Sequence, residues 1–260
     1  MTLGAGGRFD PTVFARPAFA GVRSLALGLG DGPGWPSIVD LNGALAGRAG
    51  VRFVAPLPRR RRGAPVDLSS VYDACIVERG EVPTRACWHD LANALVWARF
   101  PRAKRALHAR QLRAIRARVP AHATSLPNAR TDEQDALAML DEGGLVVCSD
   151  ADARLARLPD LVATGAATVH VFGHALLEHE AEGRPADVLA AVAWVREADV
   201  DRALAERLDR GQFPMNRRDL GSAWLREVCA TSKPALRARR PASSLWDEWP
   251  TRPRLRGSRP

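Results

Sequence analysis

The residues that most strongly determine how this chain folds are Thr84-Arg85-Ala86-Cys87-Trp88-His89-Asp90-Leu91-Ala92-Asn93-Ala94-Leu95-Val96-Trp97. Between Leu91 and Arg99 the only polar residue is Asn93, so a helix through this stretch is apolar on nearly every side. A helix of that kind has to be buried. Since 46% of the chain is hydrophobic, there is enough apolar material for a sizeable core around it. We therefore expect a buried central helix over about residues 85–99.

The segments around this helix alternate between helical and strand-like patterns. Pro101 suits the first turn of a second helix, and Thr131 with Gln134 forms a capping box that starts another. The predicted helices cover about 36–47, 102–118, 131–140, 172–180, 187–197 and 199–210, and the predicted strands cover 51–56, 73–77, 145–148 and 167–172. The expected fold class is α+β: a single mixed domain, helix-rich, with a small sheet and a buried central helix.

Composition divides the chain into three parts. Residues 1–35 are rich in Gly and Pro and are expected to form an irregular N-terminal segment. Residues 36–225 carry the periodic apolar patterns and are expected to form the globular domain. Residues 226–260 are basic and rich in Pro, which predicts a loosely packed tail.

The first candidate site lies at the start of the central helix. His89 and Asn93 are four residues apart and share one helix face, with Asp90 beside them. Polar groups on a buried helix must be satisfied internally or must face a cavity. One interpretation is a pocket with an imidazole, a carboxylate and an amide, walled by Trp88 or Trp97. The other is an Asp that favours the helix N-terminus next to a His in a structural hydrogen bond.

A second group of acidic residues follows the capping box: Asp135, Asp141 and Glu142. Asp141 and Glu142 fall at the C-terminal end of their predicted helix, where the helix dipole disfavours a carboxylate by a few tenths to about 1 kcal/mol. Something has to compensate, and an Arg, a metal ion or solvent in the following Gly143-Gly144 turn would each suffice.

The third pattern is His174 with Glu178, whose four-residue spacing places both on one helix face. An imidazole and a carboxylate so arranged can bind a divalent metal or act together in acid–base chemistry. Two ligands do not make a metal site, and a structural pair explains the spacing equally well.

The positive charge of the chain, +9 in total, is concentrated in two segments. Residues 91–131 contain eight Arg and one Lys but no Asp or Glu, and residues 231–260 contain eight basic and two acidic residues. Such local basicity is typical of proteins with a polyanionic partner, either a nucleic acid, an anionic membrane or a phosphate-bearing small molecule. On the predicted helix 102–118, the residues opposite its apolar face are Arg102, Arg105, Arg113 and Arg116.

The sequence contains no sign of a membrane segment or a disulfide framework. Its longest apolar runs are far shorter than the roughly 20 residues that span a bilayer, and the first 30 residues lack the apolar core of a signal peptide. A cytoplasmic location is therefore expected. The four cysteines show no Cys-x-x-Cys spacing and are expected to be reduced.

Three motifs, taken in order, resemble the bacterial domain of unknown function family 3025. The first is residues 84–97 with Phe100-Pro101 and Lys104, the second is Arg130, Gln134-Asp135-Ala136-Leu137 and Asp141-Glu142-Gly143, and the third is Phe172-Gly173-His174-Ala175-Leu176 and Glu178. The resemblance covers about residues 36–225. It departs from the family pattern at Ala92 and Ala138, and a late element is reduced to Leu220-Gly221 and Trp224. The resemblance implies no known activity, but it implies that these polar residues form one motif set.

Two functional hypotheses remain open at this stage. The first is a metal-assisted hydrolase that uses a divalent metal ion and acts on an anionic, phosphate-bearing substrate. In it, the catalytic residues are His89, Asp90, Asp135 and His174, the substrate-binding residues are Arg85, Asn93, Trp88, Trp97 and Arg130, and the tentative metal ligands are Asp141, Glu142 and Glu178. The second is a non-catalytic basic protein that contacts nucleic acid through the Arg-rich helix 102–118. The sequence has no Gly-x-Ser-x-Gly elbow, which disfavours nucleophilic catalysis.

Overall fold

The computed structural model describes residues 9–30, 34–56, 67–120, 123, 127, 129–150, 158–184, 187–211 and 213–229. The α-helices are α1 (Arg23–Leu27), α2 (Ile38–Leu41), α3 (Gly47–Ala49), α4 (Tyr72–Arg79), α5 (Trp88–Arg99), α6 (Pro101–Arg116), α7 (Asp132–Gly143), α8 (Leu158–Ala163), α9 (His174–Ala181), α10 (Val200–Asp209) and α11 (Leu225–Cys229). A π-helical turn, Asn42–Ala46, joins α2 to α3, and short 3-10 turns lie at Pro11–Ala15, Pro17–Phe19, Leu68–Ser70 and Arg217–Asp219.

The strands are β1 (Arg52–Val54), β2 (Glu81–Pro83), β3 (Gly144–Cys148), β4 (Thr168–Val171), β5 (Leu189–Val195) and β6 (Gly221–Trp224). They form two sheets: the parallel pair β1-β2, and a four-stranded sheet in the order β4-β3-β5-β6. At its centre β3 and β5 are parallel, while β4 and β6 pair antiparallel at the two edges. The α+β, helix-rich class predicted from the sequence is confirmed, with two small sheets.

Both faces of the four-stranded sheet are covered. Val146 and Ala193 point into the large core, whereas Leu145 and Val192, one residue earlier on each strand, belong to a smaller apolar cluster on the other face. Because side chains alternate across a strand, a strand buried on both faces is apolar at every position. This accounts for the continuous apolar runs in β3 and β5.

Helix α5 is the central helix of the large core, as predicted. All but two of its twelve residues are buried, including the polar residues Asp90 and Asn93. Its first residue, Trp88, lies against the rings of Phe9, Phe14 and Trp35. The N-terminal segment, expected to be irregular, thus forms short helical turns in its described part, 9–30, and contributes aromatic residues to the core.

Helix α6 follows α5 directly, with Pro101 in its first turn. The carboxylate of Asp201, on α10, accepts hydrogen bonds from the backbone N–H groups of Arg102 and Ala103. It thereby satisfies two N–H groups at the start of α6 that have no partner within the helix. One arginine of this helix is not on the solvent side: Arg110 is 2% exposed. It binds Glu133 of α7 and the backbone carbonyls of Phe213 and Pro214, so it joins α6 to the segment after α10.

Two predicted elements are wrong. The predicted strand 73–77 is part of α4, which ends at a left-handed Gly80, and the predicted helix 187–197 is the strand β5. Short apolar runs do not distinguish a strand from a buried helix by periodicity. In β5 the buried residues on both sheet faces removed the alternation that marks a strand, and in α4 the buried run Ala74–Ile76 masked the helical period.

No helix within the described ranges combines the length and apolarity needed to cross a membrane. Cys75, Cys87 and Cys148 are free thiols. The predicted basic tail lies outside the described residues from position 230 onward.

Candidate metal centre

A cavity of about 770 Å³ lies among α4, α5, α6, α7 and the start of α9. Each of the three sequence motifs contributes to its lining. The polar residues that it receives from α5, α7 and α9 are His89, Asp90, Asn93, Gln134, Asp141, Glu142 and His174.

Gly173 allows the start of α9 to approach the end of α7. A Cβ at Gly173 would lie closer than 3.0 Å to the backbone of Glu142, Gly143 and Gly144, so only glycine fits there. The contact is fixed by a hydrogen bond of 2.7 Å from the Gly173 amide to the Gly144 carbonyl. As a result, His174, the first residue of α9, is placed directly beside the last turn of α7.

The imidazoles of His89 and His174 face each other at the end of the cavity. Their Nε2 atoms are 3.1 Å apart. His89 Nδ1 lies 2.8 Å from Glu178 Oε2, and His174 Nδ1 lies 2.8 Å from the backbone carbonyl of Asp141. A carboxylate and a carbonyl can only accept, so both rings donate from Nδ1. When both rings are neutral, each therefore directs a lone pair from Nε2 toward the other.

Glu142 completes this group. Its Oε2 is 3.0 Å from His174 Nε2, yet it has no hydrogen-bond partner in the described part of the chain. Although burial raises the pKa of Glu142, the facing His174 holds it below its usual range, and the charge of His89 lowers it further. The side chain is therefore a buried carboxylate directed at the two imidazoles.

The charges around this group are unevenly compensated. Asp90 pairs with Arg85 at 2.8 Å, and Asp141 pairs with the fully buried Lys104. The contacts of Glu142 and Glu178 within the described ranges are instead with histidines. Burial lowers the pKa of His89, but its hydrogen bond to Glu178 and the charges of Glu142 and Glu178 outweigh this and raise it. The group thus attracts positive charge.

The arrangement fits a divalent metal ion. The three candidate ligand atoms of His89, Glu142 and His174 all lie within 4.8 Å of one another. A tetrahedral zinc ion with bonds of about 2.0–2.1 Å places neighbouring ligands roughly 3.3 Å apart, close to the 3.1 and 3.0 Å measured between pairs of these atoms. Histidines that bind metals also donate their other N–H to a carboxylate or a carbonyl, as both do in this structure.

The other predicted site residues fall into two sets. Arg85, Asn93 and Arg130 line the cavity with the central group. Trp88 and Trp97, expected as an apolar wall, are core residues behind it, and Asp135 pairs with Arg217 away from the lining. Glu178, expected as a metal ligand, contacts His89 Nδ1, the ring nitrogen that points away from His174.

The predicted basic face on α6 is exposed to solvent at Arg102, Arg105, Arg113 and Arg116. Arg102 forms an ion pair with Asp199, and Arg116 forms one with Glu78. Two of the four charges are thus engaged by neighbouring acids.

Sequence reasoning missed the roles of two buried residues of α6. Lys104 is 0% exposed and neutralises Asp141, which answers the question of what compensates a carboxylate at that helix end. His108, on the apolar side of α6 opposite its exposed arginines, lines the cavity and binds Asp73. For Lys104 a signal existed, since it is one of only two lysines in a chain rich in arginine.

Comparison with known proteins gives one match. No curated protein and no solved structure matches the chain. The family described as "Protein of unknown function (DUF3025)" matches residues 61–218. These include all three motifs and the His–Glu group, which consists of His89, Glu142, His174 and Glu178. Because this match covers more than half of the sequence, the chain belongs to the DUF3025 family.

Proposed function

We propose that this chain is a divalent-metal-dependent hydrolase in which His89, His174 and Glu142 hold the ion. The observation that carries the proposal is the 3.1 Å approach of two imidazole Nε2 atoms whose Nδ1 atoms are both engaged. Two lone pairs at this distance repel each other unless a cation lies between or beside them. In the metal-free protein a proton on His89 can take that place, and metal binding displaces it.

The donor set favours a zinc-like ion. Two imidazoles and one carboxylate are the protein ligands of a familiar class of catalytic zinc site, in which a further position stays open to water or substrate. Neutral imidazoles with ionised Glu142 and Glu178 leave two negative charges, which a divalent ion balances. The ion supplies Lewis acidity and lowers the pKa of a coordinated water.

The anionic substrate class is supported by the arginines of the cavity. Arg85 donates from Nε and one Nη to Asp90, which fixes its guanidinium at the cavity wall and leaves its other N–H groups available. Arg130 is exposed and lines the same cavity. A guanidinium can bind a phosphate through two parallel hydrogen bonds, so we assign these residues to the anionic group of the substrate.

The first test is zinc binding, measured by calorimetric titration of the purified metal-free protein. We expect one ion per wild-type chain, and affinity reduced by more than about 100-fold in His174→Ala and Glu142→Gln, because loss of a ligand should cost more than the 10–100-fold known for outer partners. His170→Ala is the matched control, since His170 on β4 does not line the cavity. Wild-type protein that binds no zinc, manganese or magnesium contradicts the proposal.

The hydrolase assignment is tested on the metal-loaded protein with p-nitrophenyl phosphate and bis(p-nitrophenyl) phosphate. We expect turnover that is lost in His174→Ala and retained in His170→Ala. If the protein binds the metal but cleaves neither phosphate ester and does not cleave p-nitrophenyl acetate, the metal centre stands and the hydrolase assignment is wrong.

Replacing Glu178 with Gln separates a supporting residue from a ligand. The Gln oxygen can still accept the His89 Nδ1–H, but the negative charge that makes the imidazole a better ligand is lost. We expect zinc affinity to fall by about 10-fold, less than in His174→Ala. Glu180→Gln, on the same helix and away from the cavity lining, is the control. A loss as large as that of His174→Ala would make Glu178 a ligand itself.

A further inference from the structure

A second group of polar residues lines the same cavity beside the His–Glu group. It consists of Tyr72 and Asp73 on α4, Asn93 on α5 and His108 on α6. His108 Nδ1 is 2.9 Å from Asp73 Oδ1, and Asn93 Nδ2 donates to Tyr72 Oη at 3.0 Å. None of these contacts involves the proposed metal ligands.

Two buried atoms of this group lack partners. His108 and Asn93 are 3% and 6% exposed, and neither His108 Nε2 nor Asn93 Oδ1 makes a hydrogen bond within the described part of the chain. The Asp73 carboxylate accepts from Nδ1 and so fixes the tautomer, which leaves a lone pair on Nε2. Buried acceptors in folded proteins are nearly always satisfied. Because both residues line a cavity, the missing partner is expected to enter from it.

The His108 ring is held firmly in this position. It stacks on Trp97 with ring centroids 5.6 Å apart and an interplanar angle of 7°, and the edge of Tyr72 meets it at 5.6 Å. An acceptor fixed by packing on two sides and by a carboxylate is preorganised, so binding a donor group to it costs little reordering.

The position of this group relative to the metal centre follows from the helices. Asn93 lies four residues beyond His89 on α5, and His108 lies four residues beyond Lys104, whose partner Asp141 precedes Glu142. Four residues of α-helix rise about 6 Å. Asn93 therefore lies about one helical turn beyond His89 on α5, His108 lies about one turn beyond Lys104 on α6, and both line the cavity that holds the proposed metal ligands.

We propose that His108 and Asn93 form a recognition subsite that accepts hydrogen bonds from a hydroxyl or N–H group of the substrate. The inference rests on the proposed function and adds the substrate's second feature: a donor group away from the bond positioned at the metal, in the same cavity. A substrate without that group leaves a buried acceptor unsatisfied that the donor would have satisfied, and it binds more weakly for that reason.

The test uses two metal-chelating probes of equal length on the zinc-loaded protein. One is pentanohydroxamic acid with a terminal hydroxyl, and the other is hexanohydroxamic acid, in which a methyl replaces that hydroxyl. We expect the wild-type protein to bind the hydroxylated probe about tenfold more tightly, the effect of a buried hydrogen bond that is otherwise left unmade. In His108→Phe, which keeps an aromatic ring, the preference should vanish, whereas His170→Phe should retain it.

The wild-type comparison needs no variant, so the test does not depend on whether His108→Phe folds, and Asn93→Ala provides a second variant with the same expected loss of preference. Equal binding of both probes to zinc-loaded wild type overturns the subsite and means that water fills it. Zinc-loaded protein that binds neither hydroxamate also overturns it, because no open position then exists. Failure to bind zinc is a separate result: it removes the proposed function and the subsite with it.

Discussion

Replacing Lys104 with Met is expected to lower the free energy of unfolding by about 3–5 kcal/mol, the usual cost of leaving a buried charge without its partner. Lys104 is 0% exposed and pairs with Asp141, whose side chain is 13% exposed. Although burial raises the pKa of Asp141, the Lys104 ammonium holds it far below its usual range. Met keeps an apolar chain in the place of the lysine methylenes, but it leaves the Asp141 carboxylate without a positive partner. Urea denaturation of wild type and variant measures the difference.

Two further variants make this result specific. Arg105→Met alters the exposed neighbour on α6 and should change stability by no more than about 0.5 kcal/mol. Adding Asp141→Asn to Lys104→Met removes the second charge as well and should recover most of the loss. A Lys104→Met protein within about 1 kcal/mol of wild type would mean that the ion pair contributes little to the fold.

Replacing Gly173 with Ala is expected to destabilise the protein by about 3 kcal/mol or more, the upper end of what overpacking costs. The new Cβ would meet backbone atoms of the α7–β3 junction, including the Glu142 carbonyl at 2.5 Å, and no flexible side chain is there to move away. Either α9 or the end of α7 must shift. Since these two elements carry His174 and Glu142, zinc affinity should fall together with thermal stability.

Gly47→Ala is the matched control for this substitution. Gly47 has helical dihedral angles, φ −61° and ψ −29°, and a Cβ there would meet nothing within 4 Å. We expect it to stabilise the protein by about 0.5–1 kcal/mol, because Ala restricts the unfolded chain. Calorimetric melting of both variants provides the comparison. Wild-type stability and zinc affinity in Gly173→Ala would show that α9 does not depend on this close approach.

Lys104→Met and Gly173→Ala each alter a residue that positions the proposed metal ligands, in one case through charge and in the other through close packing. Lys104 neutralises the residue next to Glu142, and Gly173 permits His174 to reach it. Neither residue is a proposed ligand. Outer residues of this kind orient metal ligands and tune their charge, so their loss should weaken metal binding without removing a donor atom.

Parts of this structure could be predicted from the sequence because local chemistry specifies them. The apolar run from Leu91 to Ala98 can only be satisfied by burial, and α5 is buried accordingly. Thr131 and Gln134 form the reciprocal capping bonds that their spacing predicts, and Pro101 starts α6. In each case the information lies within one or two helical turns, where side chains three or four residues apart meet regardless of the rest of the fold.

His89, Glu142 and His174 could likewise be named from the sequence as site residues, but only Glu142 was expected as a metal ligand, and the geometry of the three could not be predicted. They lie on three different helices, and the 3.1 Å between the two imidazoles depends on a backbone contact between Gly173 and Gly144. Spacing within one helix suggested His174 and Glu178 as a pair, yet Glu178 contacts His89 across the helix interface instead. Contacts between elements depend on packing, which no local pattern encodes.

The sequence by itself thus determined the residue types of the site, the class of the fold and the burial of α5, because these follow from hydrophobicity, capping and charge along a short stretch. Only the tertiary structure decided that residues 189–195 form a strand between β3 and β6, that Lys104 rather than solvent compensates Asp141, and that His108 faces the cavity. The physical reason is the same in all three cases. An apolar run, a buried lysine and a histidine on an apolar face each have several ways of being satisfied, and the partner that the fold supplies selects among them.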